Sequence, residues 1–221
     1  MRDVVLGRNA QIWQAIAREP GVAERVRHTL GHAELDQFTF EPQDRVWVFS
    51  YSRIPDDNHR LLQRLAQAGV GEIVYITSSS TITASVTDCY AYPRAKKLAE
   101  DEASRLPMGK VVVLGLVVQD ESALPGGCNA ATTIADIARF MLAPDWPDAH
   151  GRRKALLRQV NRPFRHAPEA ALYRLYGVLM RAAGRRPCLL RPLDLLLRLL
   201  GMRWYGYTYL SNQLWTRTMT S

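Results

Sequence analysis

The sequence predicts an α/β protein: a doubly wound parallel sheet carrying a helical C-terminal appendage. Three observations predict it. Short apolar runs alternate with amphipathic stretches through residues 1–120, the pattern of successive βαβ units. The run Lys110–Val118 is apolar on both faces, as a strand buried inside a parallel sheet must be. Beyond Gly126-Gly127 the strand-like runs give way to helical periodicity and to positive charge.

Val4–Leu6 is the first expected strand, ending at Gly7, with a helix over Ile12–Arg18 behind it. Asp44 leads into the β-rich run Arg45–Phe49, which passes into Ser50-Tyr51-Ser52. A helix over about His59–Ala68 sets Leu61, Leu62, Leu65 and Ala68 on one face, and Gly69 and Gly71 stop it. Asp56-Asp57 reads as a helix N-terminal charge pair rather than a catalytic dyad. Glu72–Ile76 is the next strand and runs into the hydroxyl-rich Thr77–Thr81. A helix from Tyr92 to about Arg105 leads to the strand Lys110–Val118. Thr133 caps a helix over Ile134–Leu142, closed by Pro144 and Pro147. Glu169–Ala183 aligns Leu172, Leu175, Tyr176 and Leu179 in one stripe, and Pro192 opens a leucine-rich helix to Leu200. Tyr205, Tyr207 and Tyr209 alternate like one face of a strand, which suggests packing or oligomer contact.

These readings divide the chain near residue 150. A length of 221 residues with 47% hydrophobic and 23% charged content suits one sizeable core, or one domain plus an appendage. No run approaches the roughly 18 uncharged apolar residues of a membrane span. The apolar start of MRDVVLGRN is too short for a signal peptide, so the expected location is cytoplasmic. Cys89, Cys128 and Cys188 are odd in number and form no CxxC, which argues against a disulfide framework or zinc site. Buried or half-buried free thiols are expected. The five histidines are dispersed and read as surface or satisfied core residues.

Charge is uneven along the chain. Residues 151–221 hold 14 Lys/Arg against 2 Asp/Glu, so the net +8 splits into +12 there and −4 over residues 1–150. A basic third suggests an anionic partner: phosphate, nucleic acid or a membrane surface. No nucleic-acid module is recognisable, so nucleic acid is not the expected partner. The apolar faces of this third are expected to pack on the first domain or on a second subunit, which leaves a homo-oligomer open. Peripheral contact with the inner face of a membrane, or with a protein partner, stays open beside it.

The chemistry concentrates at Tyr92-Pro93-Arg94-Ala95-Lys96. Residues four apart share a helix face, so the phenol and the ammonium can converge on one site. A nearby cation is expected to lower the tyrosine pKa, as a tyrosine acid/base requires. Pro93 is tolerated in the first helical turn. The hydroxyls of Thr77–Thr81 fall at the carboxyl end of a strand, where open α/β sheets place ligands.

Three segments together resemble the extended short-chain dehydrogenase/reductase family: Leu61–Val70, Ile73–Ser80 and Tyr92–Glu100. Ile134-Ala135-Asp136-Ile137-Ala138 resembles the family segment that precedes a helix of the substrate region. The likeness covers about residues 1–142 and is clearest over 44–118. It implies a Rossmann-like dinucleotide-binding domain over 1–150, NADP or NAD as cofactor, and hydride exchange on a nucleotide-linked sugar. By this resemblance Ser80 polarises substrate, Tyr92 is the acid/base, and Lys96 grips ribose. It also implies cofactor contacts at Gly7, Arg8, Asn9, Gln11, Ile12, Ser50, Tyr51, Ser78, Tyr92, Lys96 and Val117. The basic region 151–221 would meet the sugar diphosphate or a partner.

The sequence departs from the family at the first turn, Gly7-Arg8-Asn9-Ala10-Gln11-Ile12-Trp13, where Gly7 alone matches the glycine pattern. Trp13 stands where glycine lets helix and sheet touch. The indole is expected to push the helix outward or to fill space that the cofactor borders. The interval before Val46 is short for the family, which implies a reduced βα unit and a weakened adenosine site. Arg8 has two readings of equal weight, a contact to the NADP 2′-phosphate and a solvated surface arginine. The leading function is an NAD(P)-dependent reductase or epimerase of nucleotide-sugar metabolism, feeding polysaccharide synthesis. The alternative is a reductase fold kept for binding or assembly.

Overall fold

The computed structural model describes residues 2–146, 152–183 and 206–220, with single positions between 186 and 199. Six strands form a wholly parallel sheet: β1 (Arg2–Leu6), β2 (Val26–Leu30), β3 (Asp44–Val48), β4 (Glu72–Ser78), β5 (Gly109–Leu114) and β8 (Arg153–Leu156). Their order is β2-β1-β3-β4-β5-β8. The order reverses between β1 and β3, and such a reversal opens a crevice at the carboxyl ends of those strands. A smaller sheet stands beside it: β6 (Leu116–Val118) pairs parallel to β7 (Gly127–Thr133), which pairs antiparallel to β9 (Arg158–Arg162).

Side-chain alternation along the strands divides the core into two layers. Val4, Leu6, Val46, Val48, Ile73, Tyr75, Val111 and Val113 face one side. They meet Leu61, Leu62 and Leu65 of helix α3 (Pro55–Gln67) and Ala99 and Ala103 of α4 (Ala91–Arg105). Val5, Trp47, Val74, Ile76, Val112 and Leu114 face the other side. There they meet Trp13 and Ile16 of α1 (Gln11–Ile16), Val22 of α2 (Val22–Arg25), and Ile134, Ile137, Phe140 and Met141 of α5 (Ile134–Leu142). Each such side chain contributes roughly 1.5–3 kcal/mol on burial. Two further helices, α6 (Ala167–Ala183) and α7 (Gly206–Thr220), complete the described chain.

The expected α/β fold stands, with corrections in its second half. The expected strand Lys110–Val118 is two strands in two sheets. The break falls at Gly115, whose N–H turns to Thr132 Oγ1 at 2.8 Å instead of continuing the ladder. Residues 153–162, expected within a helical appendage, are strands, and β8 gives the main sheet a member from beyond residue 150. Their charges hid them, because edge strands tolerate exposed Lys and Arg that a central strand would not. The stretch β2 is likewise an edge strand, with only Val26 and Leu30 buried. It is the one strand on that side of β1, so the unit before β3 is reduced as expected.

Of the alternating tyrosines, Tyr207 and Tyr209 lie on a helix, not a strand. Residues two apart on a helix point some 200° apart, so Tyr207 reaches Tyr92 while Tyr209 reaches Tyr173 and Tyr176 of α6. On α6, Tyr176 is buried, but Leu172, Leu175 and Leu179 face outward rather than into a neighbour. Cys89 and Cys128 are half-buried and free, whereas Cys188 is exposed. Pro147, His150, Tyr205 and most of the expected Pro192–Leu200 helix lie outside the described residues.

Candidate active site

Strand β4 ends at Ser78, and a tight 3-10 turn over Ser79–Ser85 follows. Hydroxyls hold this turn: Thr81 Oγ1 donates to the Ser78 carbonyl at 2.9 Å and Thr83 Oγ1 to the Ser80 carbonyl at 2.8 Å. Ser78 Oγ accepts from the Ser80 N–H at 3.2 Å. Two hydroxyls are left over, Thr77 Oγ1 at the strand end and Ser80 Oγ in the turn. Ser80 Oγ is buried and has no hydrogen-bond partner among the described residues. A buried unsatisfied hydroxyl is costly, and this one stands on a cavity wall.

Tyr92 opens α4 and shares a side-chain hydrogen bond with Ser78. Its ring lies 5.1 Å from Tyr51 and 5.6 Å from Tyr207. Burial pushes its pKa up to about 12, the neighbouring Tyr207 and Tyr51 phenols add to this, and only the Ser78 bond opposes it. Lys96, one turn on, is buried and donates to the Ile76 carbonyl at 3.0 Å. Its ammonium lies 4.9 Å from the Tyr75 ring centre and 5.1 Å from that of Tyr51. Burial lowers the Lys96 pKa to about 7, against the pull of Glu100. Tyr92 thus lies above rather than below the ordinary tyrosine value, and the groups that set it are its burial, Tyr207, Ser78 and Tyr51 rather than Lys96. Desolvation dominates both groups, and a lysine half discharged at neutrality offers a phenolate little cation.

The first turn keeps one feature of a phosphate-binding loop. Gly7 has φ +111°, and a Cβ there would lie 2.8 Å from the Ser50 backbone nitrogen, so only glycine lets β1 end this close to β3. Trp13 belongs to the core. Its indole is buried between α1 and the sheet, 5.9 Å from the Phe49 ring.

A cavity of about 530 Å³ opens along the carboxyl ends of β4 and β5. Among the predicted residues it gathers Gln11, Ile12, Ser78, Ser80, Tyr92, Lys96 and Val117. Gly7, Arg8, Asn9, Ser50 and Tyr51 do not line it. Arg8 pairs instead with Glu34 and donates to the Thr29 carbonyl at 3.3 Å. Ser50 Oγ is bonded to His32 Nε2. The sequence reading missed the far wall, which comes from α7: Tyr207, Thr208, Ser211 and Asn212. Trp215 anchors that helix by donating from Nε1 to the Ser79 carbonyl at 2.8 Å, and Asn212 Oδ1 accepts from the Ala130 N–H at 3.1 Å. The tail's mixture of aromatic and polar residues was the available signal. Among the described lining residues Lys96 alone is ionisable to a cation, so no described arginine of the C-terminal third reaches the cavity.

A dinucleotide is the cofactor this fold implies, laid across the carboxyl ends of β1 and β3. The residues present fit its reactive half, where the cavity offers Ser80 Oγ, the Ser78–Tyr92 pair and the chain around Val117. At the adenosine half two features stand out. No strand lies beyond β2 among the described residues, and the His32–Ser50 contact spans from β2 to β3 over the end of β1.

No family model matches the sequence, and no curated protein matches it either. Solved structures do. An NAD-dependent NDP-hexosamine 5,6-dehydratase of tunicamycin biosynthesis aligns with a TM-score of 0.54 at 12% identity, over 80% of this chain and 82% of that one. The UDP-glucose 4-epimerase of Thermus thermophilus, solved with NAD, gives 0.52 at 14% identity over 72% and 79%. An anaerobillin reductase from Escherichia coli gives 0.50 at 11% identity over 76% of this chain and 100% of its own. Identities this low establish architecture, and with the parallel six-stranded sheet they show that this chain has the Rossmann-like α/β fold of those enzymes.

Proposed function

We propose that the chain is an NAD(P)-dependent oxidoreductase that reduces a carbonyl carbon of a nucleotide-linked sugar, with Tyr92 as the proton donor. One observation carries this reading: the unpartnered Ser80 Oγ and the Ser78-bonded Tyr92 phenol border one cavity at the ligand-binding end of the sheet. A phenol with a pKa of about 12 stays protonated at neutral pH, which suits a general acid better than a base. Ser80 Oγ–H would donate to the substrate carbonyl oxygen, and Tyr92 would deliver the proton that this oxygen takes up. Ser78, bonded to the phenol, steadies it and stabilises the charge it acquires. Gln11, Ile12 and the main chain around Val117 would hold the nicotinamide half of the cofactor, which supplies the hydride when bound. The neighbours solved with NAD, among them one bound to UDP-glucuronic acid, support the cofactor and the substrate class.

Two measurements test this. Titration with NADH and NADPH, followed by nicotinamide fluorescence, should show saturable binding below millimolar cofactor. Tyr92→Phe should cut turnover of a keto nucleotide-sugar by about 100- to 10,000-fold with cofactor binding retained; unchanged turnover sinks the mechanism. A second reading, a non-catalytic reductase fold used for binding or assembly, is favoured by Lys96, whose ammonium is bound to the Ile76 carbonyl beneath Tyr51. Absence of cofactor binding at millimolar concentration would select it.

A further inference from the structure

Helix α6 has two unlike faces. Tyr173 and Tyr176 pack on Tyr209 of α7, with ring centres 4.7 and 5.0 Å away. The opposite face is aliphatic and open: Leu172, Leu175, Val178 and Leu179 are 44%, 54%, 53% and 41% exposed. Their spacing of three and four residues sets them in one stripe, with exposed Arg174 on its flank. Farther along, Leu189, Leu195, Leu196 and Leu199 are exposed as well, and these described positions are helical. Between residues 165 and 203 the sequence sets eight arginines against Glu169 and Asp194, a balance of +6 with no lysine.

We propose that this aliphatic face, set in an arginine-rich stretch of the sequence, docks on an anionic lipid surface and lies in its headgroup plane. A water-exposed stripe of large aliphatic side chains calls for a cover, and the charge selects which. A second copy in a two-fold contact would bring two segments of the same net positive charge together. An anionic bilayer instead receives leucines into its acyl boundary while arginine stems extend to the phosphates. Among the described residues no helix is long and apolar enough to cross a membrane, so the contact is interfacial.

The test is co-sedimentation of the full-length protein with two vesicle preparations, one of phosphatidylcholine alone and one with about one-third phosphatidylglycerol. The protein should pellet with the anionic vesicles and remain in solution with the neutral ones. Leu175→Glu combined with Val178→Glu should abolish pelleting, and Arg174→Gln should weaken it about fivefold. Both changes sit on an exposed surface, and unchanged far-ultraviolet circular dichroism would verify the fold of each variant. Equal distribution of the wild type between the two preparations overturns the proposal. So does pelleting that survives both variants. Sedimentation velocity supplies the remaining arm: a dimer that Leu175→Glu dissociates, with no vesicle binding, assigns the face to a second copy and overturns it as well. Selective capture by an acidic protein with vesicles ignored does the same.

Discussion

The two edges of the main sheet are built on opposite principles. At the amino edge, where the strands begin, Asp3, Asp44, Arg45 and Glu72 are buried and each lies within 4 Å of an opposite charge, although Arg45 Nε and Nη1 and Glu72 Oε1 make ion contacts without a hydrogen bond. Arg25 meets Asp3 at 2.6 Å, Arg2 meets Asp44 at 2.6 Å, and Arg45 meets Glu72 at 3.2 Å. The Trp47 Nε1–H also donates to Asp3 at 3.2 Å. At the carboxyl edge the polar groups are mostly neutral hydroxyls, and two of them, Thr77 Oγ1 and Ser80 Oγ, have no partner among the described residues. Paired charges fix strand ends at a high cost of disruption. Unpaired hydroxyls stabilise nothing in the free protein and are ready for a ligand. The contrast separates an edge tied by ion pairs from the edge where we propose the chemistry.

Breaking the amino edge should have the largest effect. Asp3→Ala leaves the buried Trp47 N–H without its acceptor and Arg45 with Glu72 as its one remaining carboxylate, and should cost about 3 kcal/mol in urea denaturation. Cofactor affinity measured below the transition should not change, because the cavity lies at the other end of the strands. A loss of affinity larger than the loss of stability would erase the distinction between the edges.

The carboxyl edge should reveal itself through pH. Lys96 loses its proton near pH 7 when folded and near its ordinary value of 10.5 when unfolded. Between those values the unfolded chain binds more protons, so stability rises with pH through that window and is flat below it. The rise should reach about 2–3 kcal/mol between about pH 7 and pH 9. Tyr75 and Tyr92, whose pKa values burial raises, act in the opposite direction above about pH 10. Lys96→Met should remove the rise in denaturation curves taken across that range, while Asp3→Ala should keep it.

The smallest effect concerns the adenosine end of the crevice. His32→Ala removes the contact to Ser50 and should cost about 1 kcal/mol or less. If that contact restricts the adenosine end, NADH should bind the variant up to about fivefold more tightly, with the gain absent for a mononucleotide lacking adenosine. Equal gains for both ligands would place the restriction elsewhere.

How much of this was legible in the sequence depended on burial. Strands β3, β4 and β5 have apolar side chains on both faces, and the helices between them carry regular stripes, so this half of the fold reads directly. Ser80, Tyr92 and Lys96 were found by motif and spacing, and they do border one cavity. Their electrostatics were not legible. Spacing puts Lys96 beside Tyr92, but only the surroundings show that the ammonium goes to the Ile76 carbonyl and that burial outweighs attraction. The edge strands β2, β8 and β9 carry Arg, His, Lys and Asn at exposed positions and so lack the apolar signal. The wall from α7 was hidden by distance. Asn212 reaches Ala130 and Trp215 reaches Ser79, contacts 82 and 136 residues apart in sequence that local patterns do not encode.

The placement of two tyrosines on α7 has a thermodynamic consequence. Tyr207 lies against Tyr92 in the cavity, and Tyr209, less than one turn later, lies against α6, where Gly177 leaves room for its hydroxyl. One short stretch of helix therefore touches both the cavity, the proposed reaction chamber, and the reverse of the exposed leucine face. A shift of α7 that improves one contact is felt at the other. By linkage, any factor by which occupancy of the chamber changes affinity at the outer face must equal the factor by which the outer face changes affinity in the chamber.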